Sequence, residues 1–343
     1  MSDGVLVRGR ADHKTVRALQ RSLRAIGYQK SGVTGEWSEA TAAAVRALRH
    51  DLLHNHGLDS ADATVRAPVS IASFNVQGAV TADPPTGASN VEPALAACLA
   101  ALLADPRIGT VPDAADPAAA NAQVAATVTA IRSDVAPTPF LRAIFRQESA
   151  GQHYHVTRPG DEDRFVIVGL DRNDKTHPEA VTSRGYGVGQ FTLFHHPPSV
   201  AEIADVVMDP LRNVSAAYAK LRTKFRTSVV SKDPEMRADE RLAEHPILPL
   251  RPCKYALGNT RRYADCAACA AAARKVDITP GTPVHKGASL MWAPTQYYPS
   301  ARYHGVPDRA DFACDWPYAV RRYNGGGINS YHYQARVLTN LLA

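Results

Sequence analysis

The chain has 343 residues, of which 45% are hydrophobic and 21% charged, and it carries a formal net charge of +6. This composition is typical of a globular protein with more than one domain. The longest apolar stretch, residues 94–104, is far shorter than the roughly 20 residues of a membrane span. The N-terminal residues also lack the apolar core of a secretory signal peptide.

Positive charge is in excess in residues 1–66 and 138–343, whereas residues 67–137 are acidic. This distribution fits either a solvated surface or attraction to an anionic polymer such as a cell wall. No basic run is interleaved with aromatic residues, so a nucleic-acid partner is not expected.

The first predicted helix follows Asp12, whose carboxylate is suited to cap the helix N-terminus. Gly27 favours its end, because glycine readily adopts the left-handed conformation that closes helices. A glycine-rich connection, residues 32–37, leads to a second predicted helix that begins at Ser38 or Thr41. Apolar residues at helical spacing are expected to form the buried faces: Val16, Leu19, Leu23 and Ile26 in the first helix, and Ala40, Ala44, Val45 and Leu48 in the second.

A recognisable pattern within residues 12–50 consists of residues 16–20, Leu23, Gly27, Tyr28, Gly35, Trp37, Thr41, Ala44 and Val45. This pattern resembles the peptidoglycan-binding type 1 domain, a small module of three helices. The chain departs from the family at Thr34, Ser38 and residues 48–49, where the family usually has Asp, Gly and Phe-Gln. The resemblance implies that residues 1–66 bind peptidoglycan; a helical hairpin without a ligand is the alternative.

Residues 67–136 are predicted to connect two folded parts of the chain. Residues 67–90 are rich in Ala, Pro, Gly, Ser and Thr, which is typical of a linker. Two alanine-rich stretches, residues 94–104 and 118–131, are predicted helices separated by a turn that contains Pro and Asp.

Glu148 lies near the end of a further amphipathic helical pattern. Pro139 suits the first turn of this helix, and Leu141, Ile144, Phe145 and Glu148 then fall on one face. The carboxylate is therefore expected beside apolar groups, where partial burial raises its pKa and keeps a proton available. An acid that cleaves a glycosidic bond needs such a proton. The alternative is a solvated glutamate or one that pairs with a neighbouring arginine.

Three motifs follow in order along the chain: Glu-Ser at residues 148–149, Gly-Val-Gly-Gln at 187–190 and Tyr-Asn at 323–324. Together they resemble the catalytic core of the soluble-type lytic transglycosylases in the lysozyme-like superfamily, and the resemblance spans residues 137–343. The resemblance implies roles for Glu148 as the acid/base, for Tyr323 beside the acid, and for Ser149, Gly187, Gln190 and Asn324 in binding the glycan.

Other residues match the helices of that family: Asp209, Pro210, Asn213, residues 216–218, Leu221, Tyr333 and Val337. Arg322 stands where the family has an alanine before the tyrosine. The segments 158–182 and 230–310 are longer than their counterparts in the family, and both are expected to shape a substrate groove or a partner surface.

Two chemistries are open at this point. A lytic transglycosylase needs one carboxylate, which protonates the glycosidic oxygen and then helps the muramyl 6-hydroxyl attack, leaving a 1,6-anhydro end. A hydrolytic lysozyme adds a second carboxylate that activates water. Goose-type lysozymes take an auxiliary Asp from a region comparable to residues 158–182, so Asp171 and Asp174 are the candidates here. Of the two reactions, that of a lytic transglycosylase is the favoured interpretation.

The predicted fold class is mainly α. It comprises a peptidoglycan-binding module (residues 1–66), a linker with alanine-rich helices (67–136) and an α-helical lysozyme-like domain (137–343) that cuts the MurNAc–GlcNAc bond. The resemblance implies peptidoglycan as the partner and neither cofactor nor metal, and the protein is expected to be a monomer.

The absence of a signal peptide at the N-terminus leads us to expect synthesis in the cytoplasm and action in the periplasm or cell wall. Release by a phage holin and delivery by a secretion system are both open, and the second would add an immunity protein as a partner. A non-catalytic wall-binding component of a phage tail is the rival from another class, and a chitinase-like enzyme is a further one.

The cysteines allow three interpretations. Four of the five lie within residues 253–314, and Cys266 and Cys269 form the single CxxC pair. Disulfides, buried thiols and a zinc site that uses Cys314 or His245 as a fourth ligand are all compatible with this spacing.

Overall fold

The computed structural model describes residues 12–57, 69–82, 90–131, 136–228, 250–269, 312–325 and 328–342. Over these residues the chain is mainly α-helical, as predicted, with one small antiparallel sheet. The helices are α1 His13–Ala25, α2 Glu39–His54, α3 Pro93–Ala104, α4 Pro117–Ala130, α5 Thr138–Ser149, α6 Val200–Glu202, α7 Pro210–Ser228, α8 Cys266–Cys269, α9 Trp316–Tyr323 and α10 Ile328–Leu342. The strands are β1 Val168–Asp171, β2 Ser183–Tyr186 and β3 Phe191–Leu193. Short 3₁₀ turns at Ala72–Phe74 and Val76–Gly78 and a π turn at Ile203–Val207 complete the elements.

The chain divides into two compact units, each built from two separate segments. The first unit comprises Met1–Val124 and Gln152–Asn213, and the second comprises Ala125–Gly151 and Val214–Ala343. The boundaries predicted after residues 66 and 136 stay a prediction. Most of the long segment 230–310 lies outside the described residues.

The start of α1 in the first unit is the one predicted from sequence. The Asp12 carboxylate accepts a hydrogen bond from the Thr15 backbone N–H at 2.9 Å, which satisfies one of the unpaired donors at the helix start. Ser38 caps α2 by accepting from the backbone N–H of Thr41 at 3.2 Å. The expectation that Ala40 is buried is wrong, because it is exposed in the first turn of α2, where Thr41 turns inward instead.

The core around α1 and α2 extends beyond residues 12–50. Leu23 and Leu48 belong to the same buried cluster as Leu95 and Leu102 of α3 and as Val181. The two N-terminal helices therefore bury their apolar faces partly against residues that are distant in sequence.

A buried ion pair connects α1 to the segment before β1. Arg24 Nε lies 2.9 Å from Asp163 Oδ2, and the two side chains are essentially inaccessible to solvent. Burial lowers the pKa of Arg24, and the charge of Asp163 opposes that shift. Asp163 is buried, and its two oxygens also accept from the Gly32 and Phe165 backbone N–H groups. Removing one partner of such a pair typically costs about 3–5 kcal/mol.

The sheet has the order β1-β2-β3, and both pairings are antiparallel. Val168 pairs with Tyr186, and Tyr186 with Phe191. Val168 and Tyr186 are fully buried in a second apolar cluster that also includes Val207. This sheet positions the Gly187–Gln190 turn, which joins β2 to β3.

The second unit is organised around α5, which packs chiefly against α10 and also contacts α9. Leu141 and Ile144 are fully buried. The rings of Phe225 and Trp316 stack with their centroids 4.0 Å apart, which joins α7 to the start of α9. Helix α5 ends at Ala150, whose φ of 55° is the left-handed conformation of a helix C-terminus. Among the described residues, no helix combines the length and apolar character needed to cross a membrane.

Candidate functional site

Glu148 is one turn beyond the buried apolar face of α5 and is itself partly buried. Its Oε1 accepts a hydrogen bond of 2.6 Å from the hydroxyl of Tyr333 on α10. This contact exists because α10 packs along α5, so a residue far along the chain reaches the helix end. The carboxyl group is thereby oriented next to an apolar core.

Two buried phenols lie in the neighbourhood of Glu148. Tyr323 is 2% exposed and Tyr333 is 6% exposed. Burial raises the pKa of each phenol well above its usual value, and the negative charge of Glu148 raises it further. Both hydroxyl groups therefore keep their protons at neutral pH, and that of Tyr333 donates to Glu148. Tyr323 was predicted to lie beside the acid, and the influence of Glu148 on its pKa is consistent with that position.

Tyr333 was predicted only as a residue of the closing helix, so its role as the donor to Glu148 was missed. A buried phenol usually needs a hydrogen-bond partner, which was the available signal. The identity of that partner depended on how α10 packs against α5.

Lys220 of α7 is a further member of this neighbourhood that the sequence did not indicate. Its Nζ lies 4.2 Å from the ring centroid of Tyr323, which is a cation–π geometry. Partial burial lowers the pKa of Lys220, while the charge of Glu148 raises it. A cation therefore lies within the electrostatic influence of the Glu148 carboxylate.

The neighbours of Glu148 and Tyr323 in the two motifs have backbone contacts. Ser149 is buried, and its hydroxyl donates to the carbonyl oxygen of Phe145 at 3.1 Å. Asn324 is exposed, immediately follows α9, and its backbone N–H donates to the carbonyl of Arg322. Both belong to the same unit as Glu148; their predicted contacts with a glycan stay predictions.

Among the described residues of the second unit, the other carboxylates are Asp265 and Asp315. Asp315 is fully buried, and Arg251 donates to it from its backbone and from its guanidinium, with an Nη2–Oδ1 distance of 2.8 Å. Asp265 pairs with Lys254 at 3.2 Å. Both of these carboxylates therefore have cationic side chains within hydrogen-bond distance.

The turn of residues 187–190 lies in the first unit and is held by its own backbone. Gly187 has φ of +70°, and its N–H donates to Ile167 at 2.8 Å. Gln190 also has a positive φ, 48°, and its side-chain amide donates to the Gly187 carbonyl at 2.8 Å. The Gln190 Oε1 lies over the strands, 2.2 Å from where a Cβ on Gly169 would be.

His153 supports this turn from beneath. Its Nδ1 accepts from the backbone N–H of Val188 at 3.3 Å, and its Nε2 lies 2.8 Å from the carbonyl of Val207. Because one ring nitrogen accepts and the other donates, the ring is neutral. Burial lowers the pKa of His153 to about 4, which agrees with that state.

Asp171 and Asp174, the candidate auxiliary acids, lie in the first unit, whereas Glu148 lies in the second. Asp171 is exposed at the end of β1, and its Oδ2 accepts from the Ser183 hydroxyl at 2.9 Å. Asp174 Oδ1 accepts from the backbone N–H groups of Thr176 at 2.8 Å and His177 at 3.0 Å. These bonds lower the pKa of Asp174 and stabilise its ionised form.

The cysteines of the described region have varied surroundings. Cys98 of α3 is a buried free thiol, and Cys253 is a partly buried one. The Cys266 thiol donates to the carbonyl of Tyr263 at 3.0 Å. The side chain of Cys269 lies outside the described residues.

Comparison of the sequence with protein-family models, with curated proteins and with solved structures finds no match.

Proposed function

We propose that the protein cleaves the glycan strands of peptidoglycan, with Glu148 as the acid/base. The hydrogen bond from Tyr333 to Glu148 supports this most directly, because it orients one carboxyl group beside a largely apolar core. An orienting donor, partial burial and a nearby cation are the environment that tunes a catalytic carboxyl group. The order of the Glu-Ser, Gly-Val-Gly-Gln and Tyr-Asn motifs is the further support.

The proposed reaction is that of a lytic transglycosylase. The Glu148 carboxyl group donates its proton to the glycosidic oxygen between MurNAc and GlcNAc as the bond from C1 to that oxygen breaks. The resulting carboxylate then removes the proton from the muramyl 6-hydroxyl, whose oxygen bonds to C1. A 1,6-anhydro ring forms, no water is consumed, and Glu148 is returned to its protonated form. Tyr323 and Tyr333 keep their protons and orient the carboxyl group during both steps.

The other acids of the described region favour one-carboxylate chemistry over hydrolysis. Asp265 and Asp315 of the second unit are engaged by cationic side chains. Asp174 is engaged by backbone N–H groups in a local turn. A water-activating base needs a carboxylate that is available to accept a proton.

Residues 12–50 are proposed to bind the wall, on the strength of the matching pattern of the peptidoglycan-binding type 1 domain. The excess of basic residues in segment 1–66 suits an anionic wall polymer. Linking a binding module to a catalytic part raises the local substrate concentration. We place the action in the periplasm or cell wall, reached through a phage holin or a secretion system.

Mass spectrometry of the soluble products from purified peptidoglycan tests the function. We expect wild type to release anhydro-muropeptides and Glu148→Gln to lose about 10²–10⁴-fold of the rate, the usual contribution of an acid/base. Asp205→Asn is the matched control, since it also replaces a carboxylate by its amide, at an exposed residue of the first unit that lies outside residues 12–50.

Each other outcome has a definite meaning. Reducing-end muropeptides from wild type would make the protein a hydrolase. Products from Glu148→Gln at the wild-type rate would remove Glu148 from the chemistry. If neither protein releases products but wild type sediments with peptidoglycan, the chain is a wall-binding component.

A further inference from the structure

Three histidines and a glutamate of the first unit lie close together. His50 and His54 are one helical turn apart on α2, and His177 and Glu179 belong to the connection between β1 and β2. One ligand atom each from His50, His177 and Glu179 lies within 4.8 Å of the others. The ring of His54 is 4.5 Å from that of His50 and 5.8 Å from that of His177, measured between centroids.

The two distances from Glu179 to the histidines of this cluster fit a shared ion. Glu179 Oε1 lies 3.5 Å from His50 Nδ1 and 3.4 Å from His177 Nδ1. Both exceed the usual 2.7–3.2 Å of an N–H···O hydrogen bond. Two ligand atoms of a tetrahedral zinc, each about 2.0–2.1 Å from the metal, are roughly 3.3 Å apart. The two measured separations are close to that edge length.

The surrounding groups orient these side chains. Asp174 accepts from the backbone N–H of His177 at 3.0 Å and so fixes the turn from which the imidazole projects. Arg172 Nη1 donates to the backbone carbonyl of Glu179 at 2.9 Å. Outer contacts that fix the ligands in this way are a regular feature of metal sites.

Burial also distinguishes this cluster from a surface accumulation of polar residues. His50 is 7% exposed, and His177 and Glu179 are partly buried, whereas His54 is exposed at the end of α2. His54 adds a third imidazole next to that of His50. Three imidazoles and one carboxylate are donors that suit zinc and its transition-metal neighbours, whereas magnesium and calcium prefer oxygen ligands throughout.

We propose that the first unit binds one zinc ion through His50, His177 and Glu179, with His54 as the fourth ligand, and that the ion fastens the β1–β2 connection to α2. A closed set of four protein ligands is the arrangement of a structural site. The site uses none of the residues proposed to carry out glycan cleavage.

Isothermal titration of the untagged, full-length chain with zinc, after dialysis against EDTA, tests this site. We expect one zinc per chain and a thermal transition that rises when zinc is added. His177→Gln should weaken zinc binding by at least about 100-fold, and Asp174→Asn by about 10-fold, in the range found for outer contacts. The exposed His56 is not part of the cluster, so His56→Gln is the control and should bind as wild type does.

Circular dichroism and the thermal transition in EDTA show whether His177→Gln is folded. Should it not fold, Glu179→Gln replaces it, with the same expected loss. Cobalt substitution separates this site from a cysteine site: d–d bands without a thiolate charge-transfer band support the proposal. A thiolate band that disappears in Cys253→Ser, or zinc binding of wild-type affinity in both His177→Gln and Glu179→Gln, overturns it.

Discussion

The 187–190 turn and the Glu148 carboxyl group were predicted from one set of motifs, but the structure uses them differently. In the turn, Gly187 provides a backbone conformation and Gln190 bonds to the carbonyl of Gly187. Glu148 is instead contacted by the hydroxyl of Tyr333 and lies near the Lys220 ammonium group. The motif residues of the first unit thus determine a backbone conformation, whereas Glu148 of the second unit provides an ionisable group.

The histidine beneath the turn sharpens this contrast. Both ring nitrogens of His153 contact backbone groups, and its pKa is lowered to about 4, so it serves as a neutral structural bridge. In the second unit, burial raises the pKa values of Tyr323 and Tyr333, and the charge of Glu148 contributes to both shifts. Substitutions in the turn should therefore change mainly the free energy of unfolding. Substitutions around Glu148 should change mainly the proposed rate of glycan cleavage.

The largest effect on stability is expected from Gly187→Ala. A Cβ at this position would lie 2.4 Å from His153 Cε1, and the backbone φ of +70° is unfavourable for alanine. We expect a loss of about 3 kcal/mol in the free energy of unfolding, from strain and overpacking together. Gly160→Ala is the matched control, since its φ is +83° but no atom lies within 4 Å of the added Cβ. Equal losses in urea denaturation of the two variants would mean that the contact with His153 is unimportant.

His153 should make the protein sensitive to acid. Its pKa falls from 6.5 to about 4 on folding, so below pH 6.5 the unfolded chain binds a proton that the folded chain does not. The free energy of unfolding therefore decreases between about pH 6.5 and 4, by about 3 kcal/mol from this group. His196, whose pKa burial also lowers, contributes in the same direction.

Urea denaturation at a series of pH values checks this expectation. His153→Gln should be less stable than wild type at pH 7 but should lose less stability on acidification. The exposed His56 provides the control, because His56→Gln should retain the wild-type slope. An unchanged slope in His153→Gln would show that the ring is not held neutral.

Tyr333→Phe should reduce glycan cleavage by about 10- to 100-fold without unfolding the protein, because it removes one orienting donor of the acid. Loss of a hydrogen bond to the ionised carboxylate should also move the pH profile of cleavage to higher pH. Tyr255→Phe makes the same chemical change at the phenol that bonds to Asp265. A Tyr333→Phe protein with the wild-type rate and pH profile would show that this contact serves packing alone.

The smallest effect is expected from Asp171→Asn. Its carboxylate is exposed and bonds to Ser183, so cleavage should change by less than about threefold in the way typical of surface groups. Asp174→Asn should likewise leave cleavage within that range. Initial rates of muropeptide release check both variants, and a loss above about 100-fold in either would favour hydrolysis with a second carboxylate.

The sequence by itself determined the class of the fold and the local positions of its main helices. Asp12 caps α1 and Ser38 caps α2 because capping depends on neighbours a few residues away. The apolar spacing of Leu141 and Ile144 likewise predicted the helix that places Glu148 at its end. These features follow from short-range periodicity and backbone hydrogen bonding.

Only the tertiary structure decided which polar groups distant in sequence became hydrogen-bond or ion-pair partners. Tyr333 reaches Glu148 through the packing of α10 on α5, and Asp163 is buried because Arg24 of α1 meets it. His50 and His177 come together in the same way, across more than a hundred residues of chain. No local pattern encodes such contacts, because each depends on which apolar faces pack against one another once the helices have formed.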